Sequence, residues 1–212
     1  MDRLFLPGWG ARATAYRSGL PDGWTALAPP CFGESRGSLK PYTSWLASEL
    51  HARRAPVLLA GHSMGAALAV LAAAAHPERV SSLVLIAPAG LPLVKPMAIS
   101  AAQFLGQAAL RRSPLRESLA AIGDVASAPL SAFRVARTVR SLDLSQEMRR
   151  VCAHNVPVTI IGCRSDTLVT SSHCRRAAEL LAARYRELPL EGGHTWMFGS
   201  SALLAAELSR LG

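Results

Sequence analysis

The sequence predicts an α/β fold: a doubly wound, mainly parallel, six-stranded sheet with helices on both faces and a helical insertion between its fourth and fifth strands. Three observations predict it. Short, largely apolar runs at 3–6, 24–28, 57–60, 82–87 and 157–162, with a last short strand at 185–190, alternate with segments of helical periodicity, the pattern of a parallel sheet covered on both faces. One of these runs, Val57 to Ala60, is interrupted by Gly61-His62-Ser63-Met64-Gly65 and continues as an alanine-rich stretch of high helix propensity, which reads strand, sharp turn, helix. From 91 to 150 only helical candidates occur, at 97–110, 114–122, 129–140 and 143–150, so 1–90 and 151–212 form the core and 91–150 a helical lid.

In chain order, Arg3 to Leu6 is a strand that runs into Pro7-Gly8-Trp9-Gly10. Two glycines around a tryptophan let the backbone curl and aim an N–H inward, or simply turn the chain. Ala11 to Ser18 is helical, Leu20 to Gly23 a turn, Trp24 to Ala28 a strand, and Pro29 to Gly37 a loop by composition. Tyr42 to Arg54 is amphipathic, with Trp45, Leu46, Glu49 and Leu50 at helical spacing and Thr43 or Ser44 as the N-cap. After the alanine-rich helix, Pro77-Glu78-Arg79 turns the chain into the strand Ser82 to Ala87. Beyond the lid, Pro157 to Gly162 is the most strand-like run of all, followed by a loop to Thr170 and a helix from Ser171 to Arg184. Tyr185 to Leu190 is the last strand, Gly192 to Trp196 a glycine-rich loop, and Ser201 to Leu211 a closing helix.

Half of the 212 residues are hydrophobic and 17% are charged, which suits a domain with a sizeable core. The net charge of +9 rests on arginine, lysine occurring only as Lys40 and Lys95, with no basic tail and no basic–aromatic alternation, so nucleic acid is not expected as a partner. No apolar run reaches the roughly 18 residues that span a bilayer, and the N-terminal Met-Asp-Arg-Leu-Phe-Leu-Pro does not read as a leader, so a cytoplasmic protein without membrane contact is expected. Cys31, Cys152, Cys163 and Cys174 form no C-x-x-C pair and no metal spacing, and are read as reduced. Neither metal nor cofactor is expected.

Chemistry concentrates at Ser63. The glycines two residues before and after it keep side chains out of a turn where strand and helix nearly collide, and the serine stands at the positive end of the helix. A serine hydroxyl needs a base and an acid that orients the base. Asp166 follows shortly after the strand ending at Gly162, and His194 lies in the glycine-rich loop after Leu190; both are loops at the ends of strands. His62, His76, His154 and His173 compete for the basic role, and Asp124 and Asp143 for the acidic one, from less favourable places. An oxyanion would be met by the backbone N–H groups of Met64 and Trp9, each able to lower the barrier by about 3 kcal/mol. An apolar pocket is expected from Trp9, Phe32, Met64, Met97, Phe104, Phe133 and Trp196, unless Phe104 and Phe133 only pack the lid on the sheet. The stretch 95–150 holds nine basic and four acidic residues. Within it Arg134, Arg137 and Arg140 would form one basic stripe, which is either a dock for an acidic partner or a solvated surface.

Together, Pro7-Gly8-Trp9-Gly10, Phe32 to Gly37, Gly61-His62-Ser63-Met64-Gly65, His76-Pro77-Glu78-Arg79-Val80, Ser165-Asp166 and Gly193-His194 resemble the α/β-hydrolase superfamily over the whole chain. Its order of nucleophile, acid and base is that of Ser63, Asp166 and His194. Within the superfamily the chain is most similar to the esterases that cleave pimeloyl-acyl-carrier-protein methyl ester, which share a Gly-Trp-Gly oxyanion loop and a helical lid whose basic residues meet an acidic carrier protein. The chain departs from the common pattern at Pro7, Ala28 and Cys31, where His, Asp and Gly are usual, and in lacking an N-terminal hairpin. The resemblance implies a serine hydrolase that cleaves small or carrier-bound carboxylic esters through an acyl-enzyme. The alternatives are a thioesterase or other small-acyl hydrolase on the same triad, or a non-catalytic binding protein of this fold.

Overall fold

Period-two alternation along central strands that are largely apolar supplies two hydrophobic faces at once, and the protein uses both. In the computed structural model, which describes residues 1–93 and 123–211, six strands form one sheet in the order β2-β1-β3-β4-β5-β6, with every neighbouring pair parallel. They are β1 (Arg3–Leu6), β2 (Trp24–Ala26), β3 (Val57–His62), β4 (Val80–Ile86), β5 (Val158–Cys163) and β6 (Arg184–Leu188). Among the described helices are α1 (Phe32–Ser35), α2 (Lys40–His51), α3 (Met64–Ala75), α4 (Pro129–Ser141), α5 (Ser145–Ala153), α6 (Ser171–Leu181) and α7 (Ser201–Ser209). Two 3-10 segments, Ala13–Gly19 and Gly193–Phe198, pack on one face of the sheet, and a third, Pro77–Arg79, leads into β4.

Leu4, Leu59, Leu83, Leu85 and Ile160 face one side, where they meet Leu46 and Leu50 of α2, the alanines of α3, Val135 of α4, Met148 of α5 and Leu181 of α6. Phe5, Leu58, Val84, Ile86 and Ile161 face the other, against Tyr16, Trp196, Met197 and, from α7, Leu204 and Leu208. Burial of each such side chain contributes about 1.5–3 kcal/mol, so truncating Leu59, which is wholly buried in the central strand β3, would cost roughly 2–5 kcal/mol. The alanines of α3 are small for a reason: the helix lies so close to the sheet that a Cβ on Gly65 would strike the carbonyls of Leu6 and Pro7.

Element types follow the sequence with local corrections: the helix read at Ala11 to Ser18 is the 3-10 segment Ala13–Gly19, the loop read at Gly192 to Trp196 is the 3-10 segment Gly193–Phe198, the helix read to Arg184 ends at Leu181, and three more follow. The stretch Pro29 to Gly37 is not loop throughout, because Phe32–Ser35 makes one helical turn whose start is satisfied by Glu34, the Cys31 N–H donating to its carboxylate at 2.8 Å. Helix α2 begins at Lys40 behind Leu39 and not at Thr43 or Ser44; Pro41 in its first turn suits an earlier start, and the Thr43 hydroxyl donates back to the Lys40 carbonyl at 2.9 Å. The strand at Trp24 stops at Ala26. In the expected lid, the helices at 129–140 and 143–150 are present as α4 and α5, while those at 97–110 and 114–122 lie outside the described residues.

Candidate active site

Ser63 joins β3 to α3 with φ 53° and ψ −113°, a conformation that costs a non-glycine residue on the order of 1–3 kcal/mol. Its main chain is pinned on both sides: the N–H donates to the Ile86 carbonyl at 3.0 Å, and its own carbonyl accepts from Ala67 at 3.1 Å and Ala89 at 3.2 Å. The side chain is left partly exposed at the C-terminal edge of the sheet. Gly61 and Gly65 meet where the sequence places them, since a Cβ on Gly61 would lie 2.5 Å from the Gly65 carbonyl group. Met64 opens α3, so its N–H has no intrahelical acceptor and points out of the helix's positive end.

Asp166 and His194 come together from the loops after β5 and β6. His194 Nδ1 lies 2.8 Å from Asp166 Oδ2, and both residues are buried. A carboxylate only accepts, so the imidazole carries its proton on Nδ1 and turns Nε2 toward other partners. The second oxygen of Asp166 is occupied as well, accepting the N–H groups of Leu168 at 2.8 Å and Val169 at 2.9 Å. Ser165 ties the two loops together: its Oγ donates to the Leu190 carbonyl at 2.7 Å and accepts from Gly192 at 2.8 Å and Gly193 at 2.9 Å. Sequence reading alone does not give Ser165 this task, and the adjacent Ser-Asp pair is its only local signal.

A second buried histidine sits between the site's loops. His62 Nε2 donates to the His194 carbonyl at 3.0 Å, and the two rings lie 4.8 Å apart. On its other side, Tyr16 donates its hydroxyl to His62 Nδ1 at 2.8 Å and accepts the Gly8 N–H at 3.2 Å. Burial, and then the neighbouring His194, hold the His62 pKa well below the usual histidine value, so the ring stays neutral and keeps these roles. Burial also raises the Tyr16 pKa, and the phenol stays protonated to donate. Only glycine fits at Gly8, where a Cβ would sit 2.8 Å from His62 Nδ1. A continuous chain of hydrogen bonds thus links the Pro7–Gly10 loop, the serine turn and the histidine loop.

Trp9 of the same loop donates its indole N–H to the Ala132 carbonyl of α4 at 3.1 Å and lies against Phe32, with ring centroids 5.4 Å apart. Beside the serine turn opens a cavity of about 760 Å³, walled by Gly8, Met64, Phe32, Tyr42 and Pro29, with Arg12 and Arg17 on its outer side. Phe32 and Met64 therefore stand where a pocket was expected. Trp196 does not, because it is buried in the core on the opposite face of the sheet, with Phe5 and Leu204. Phe133 turns away from the core of α4 and is 54% exposed. Met97 and Phe104 lie outside the described residues. The stripe of three arginines also needs correction: Arg134 and Arg137 are exposed, but Arg140 is half-buried and donates to the Leu93 carbonyl at 3.1 Å.

The competing residues have other places. His76 caps the far end of α3, and His154 the end of α5. Asp143 accepts the N–H and hydroxyl of Ser145 at the start of α5, which lowers its pKa, and Asp124 borders the cavity. His173, on α6, lies within the field of Asp166, yet burial outweighs that field and lowers its pKa.

A buried imidazole–carboxylate pair beside a strained serine turn, at the C-terminal edge of a parallel sheet, defines the α/β-hydrolase class, and the chain belongs to the alpha/beta hydrolase family, whose model matches residues 4–207. No curated protein matches it in sequence. Among solved structures it is similar to a serine hydrolase involved in carbazole degradation, at 19% identity and a TM-score of 0.77, covering 100% of this chain and 91% of that one. A lipase-esterase related protein from Clostridium acetobutylicum ATCC 824 superposes with a TM-score of 0.76 at 14% identity, over 99% and 93% of the two chains. A thioesterase domain from the curacin biosynthetic pathway does so with a TM-score of 0.64 at 20% identity, over 98% and 90%. At such identities the likeness establishes the fold.

Proposed function

We propose that the protein is a serine ester hydrolase in which Ser63 is the nucleophile, His194 the general base and acid, and Asp166 the residue that orients His194. The observation that carries this reading is the buried 2.8 Å bond between His194 Nδ1 and Asp166 Oδ2, set beside the serine turn. In the reaction Ser63 Oγ attacks the ester carbonyl and passes its proton to His194 Nε2, and the imidazolium so formed is stabilised by Asp166. The Met64 and Trp9 backbone N–H groups receive the negative charge on the tetrahedral oxygen. The alcohol leaves with the proton from His194, and a water deprotonated by His194 then releases the acid from Ser63. No step requires a metal or cofactor. A panel of p-nitrophenyl esters of graded acyl length tests the reading: turnover that Ser63→Ala lowers at least a thousandfold supports it, and turnover surviving at a tenth of the parent's overturns it.

Carrier-bound acyl esters, with pimeloyl-acyl-carrier-protein methyl ester as the specific candidate, are a second reading of the substrate. Two exposed arginines of α4, Arg134 and Arg137, favour it, since α4 reaches the oxyanion loop through Trp9 and the Ala132 carbonyl. If a carrier docks there, reversing both to Glu lowers kcat/KM on the carrier ester at low salt and leaves the matching small ester unchanged. Salt near 0.5 M should erase most of the difference. Equal effects on both substrates would leave a small-ester hydrolase.

A further inference from the structure

We propose that His51, His76 and Glu78 form a binding site for one divalent late first-row transition metal ion, with Zn²⁺ the best match, at the end of α3 remote from Ser63. One donor atom from each residue can be chosen so that all three lie within 4.8 Å of one another. The imidazole rings stand edge to face, with centroids 4.9 Å apart and planes at 86°. His51 is already set up as a ligand: its Nδ1 bonds the Ala47 carbonyl at 2.7 Å. A carbonyl only accepts, so Nδ1 carries the proton and Nε2 keeps its lone pair for a metal, the arrangement typical of ligating histidines.

The backbone holds these residues on two segments that cannot drift apart. His51 is the last residue of α2, and His76 is the C-cap of α3, so two negative helix ends converge on the place a cation would take. Arg79 locks the arrangement, its guanidinium donating to the carbonyls of Leu50 at 2.9 Å, His51 at 3.0 Å and Arg53 at 2.7 Å. Its charge faces the site but is absorbed by those carbonyls, and the charge of Arg53 is met by Glu49 and Asp2. Glu78 supplies the one anionic ligand. Two imidazole nitrogens and a carboxylate oxygen suit zinc and its neighbours better than calcium or magnesium, and water would complete a tetrahedron. With zinc–nitrogen bonds of about 2.0–2.1 Å, tetrahedral ligand atoms sit about 3.3 Å apart, so the side chains would close by roughly an ångström. His51 and Glu78 are exposed and His76 half-buried, which leaves them free to do so.

The site is structural, joining the end of α2 to the end of α3. The twelve residues of α3 put it about 18 Å from the serine turn at 1.5 Å per residue.

Titration of chelator-treated protein with Zn²⁺ at pH 7.5, by calorimetry and by thermal melting, tests the proposal. One ion per chain should bind, and Zn²⁺ at about a hundred times its Kd should raise Tm by roughly 5–10 °C. His51→Ala and His76→Ala should each weaken binding at least tenfold and abolish the Tm rise, while their metal-free melting stays close to the parent's. Cys31→Ser, a change at an exposed thiol outside the cluster, should bind as the parent does. No binding at 100 μM Zn²⁺ would overturn the proposal. So would binding that survives unchanged in His51→Ala, which lies at an exposed helix end and should fold normally.

Discussion

The two oxygens of Asp166 have separate duties, Oδ1 holding its own loop through Leu168 and Val169 and Oδ2 holding His194. Asp166→Asn should therefore keep the loop but present an amide to the imidazole, favouring the wrong tautomer. Kcat for ester hydrolysis is expected to fall roughly a thousandfold or more, with Tm little changed. A fall of less than tenfold would deny Asp166 its orienting role. His62 gives a prediction about pH. Its pKa in the folded protein is depressed, so the unfolded chain binds more protons than the native one below about pH 6.5. The stabilising contribution of neutral His62 is thus complete above that pH and lost as pH falls, and His173 acts in the same direction. Urea unfolding at pH 7, 6 and 5 should show a loss that is shallower in His62→Gln, by up to about 1.4 kcal/mol per pH unit. Parallel curves would contradict the burial of a neutral His62. The positions of Ser63, Asp166 and His194 beyond strand ends were legible because each follows a recognisable strand, although His194 lies in the 3-10 segment Gly193–Phe198 where a loop was expected. Ser165, Tyr16 and His62 were not, since their tasks depend on contacts between loops distant in sequence. Trp196 was misjudged because a loop aromatic does not reveal which face of the sheet it will join.

Helix α3 closely approaches β3 and β1, and the approach rests on two glycines, Gly61 and Gly65. Gly65→Ala would drive a Cβ into the Leu6 and Pro7 carbonyls, which are backbone and cannot move aside. Chemical denaturation should show a loss of more than about 3 kcal/mol, or no folded protein. Gly33→Ala in α1 is the contrasting case: among the described residues, the only atom within 4 Å of its new Cβ is Cys31 Sγ at 3.8 Å. With helix propensity in its favour it should be neutral or stabilise by up to about 1 kcal/mol. Equal losses in the two variants would refute the close approach. The central strands β3, β4 and β5 were read nearly to their boundaries because residues apolar on both faces leave little ambiguity. The turn α1 was hidden inside a proline- and glycine-rich stretch. Arg140 looked like part of an exposed stripe because a spacing of three says nothing of the Leu93 carbonyl that its guanidinium meets.

Across the whole molecule, one sheet face is covered by α2 to α6 and the other by the 3-10 segments and α7, and the site opens at the C-terminal edge. This layout was legible from the alternation of apolar runs with helical segments. The counterexample is Glu207, almost wholly buried in the closing helix and paired with Arg186 Nε at 2.7 Å and Arg210 Nη1 at 2.9 Å. Arg186 comes from β6, so no local pattern in α7 announced that a carboxylate would be buried there. Among the described residues no helix is long and apolar enough to cross a membrane. The central claim is that this scaffold presents a live nucleophile at Ser63, and covalent labelling tests it most directly. A fluorophosphonate, followed by peptide mapping, should leave one adduct per chain, on Ser63, with none in Ser63→Ala and much slower labelling in His194→Ala. Absence of an adduct on the parent protein, or an adduct on any other residue, would contradict the account.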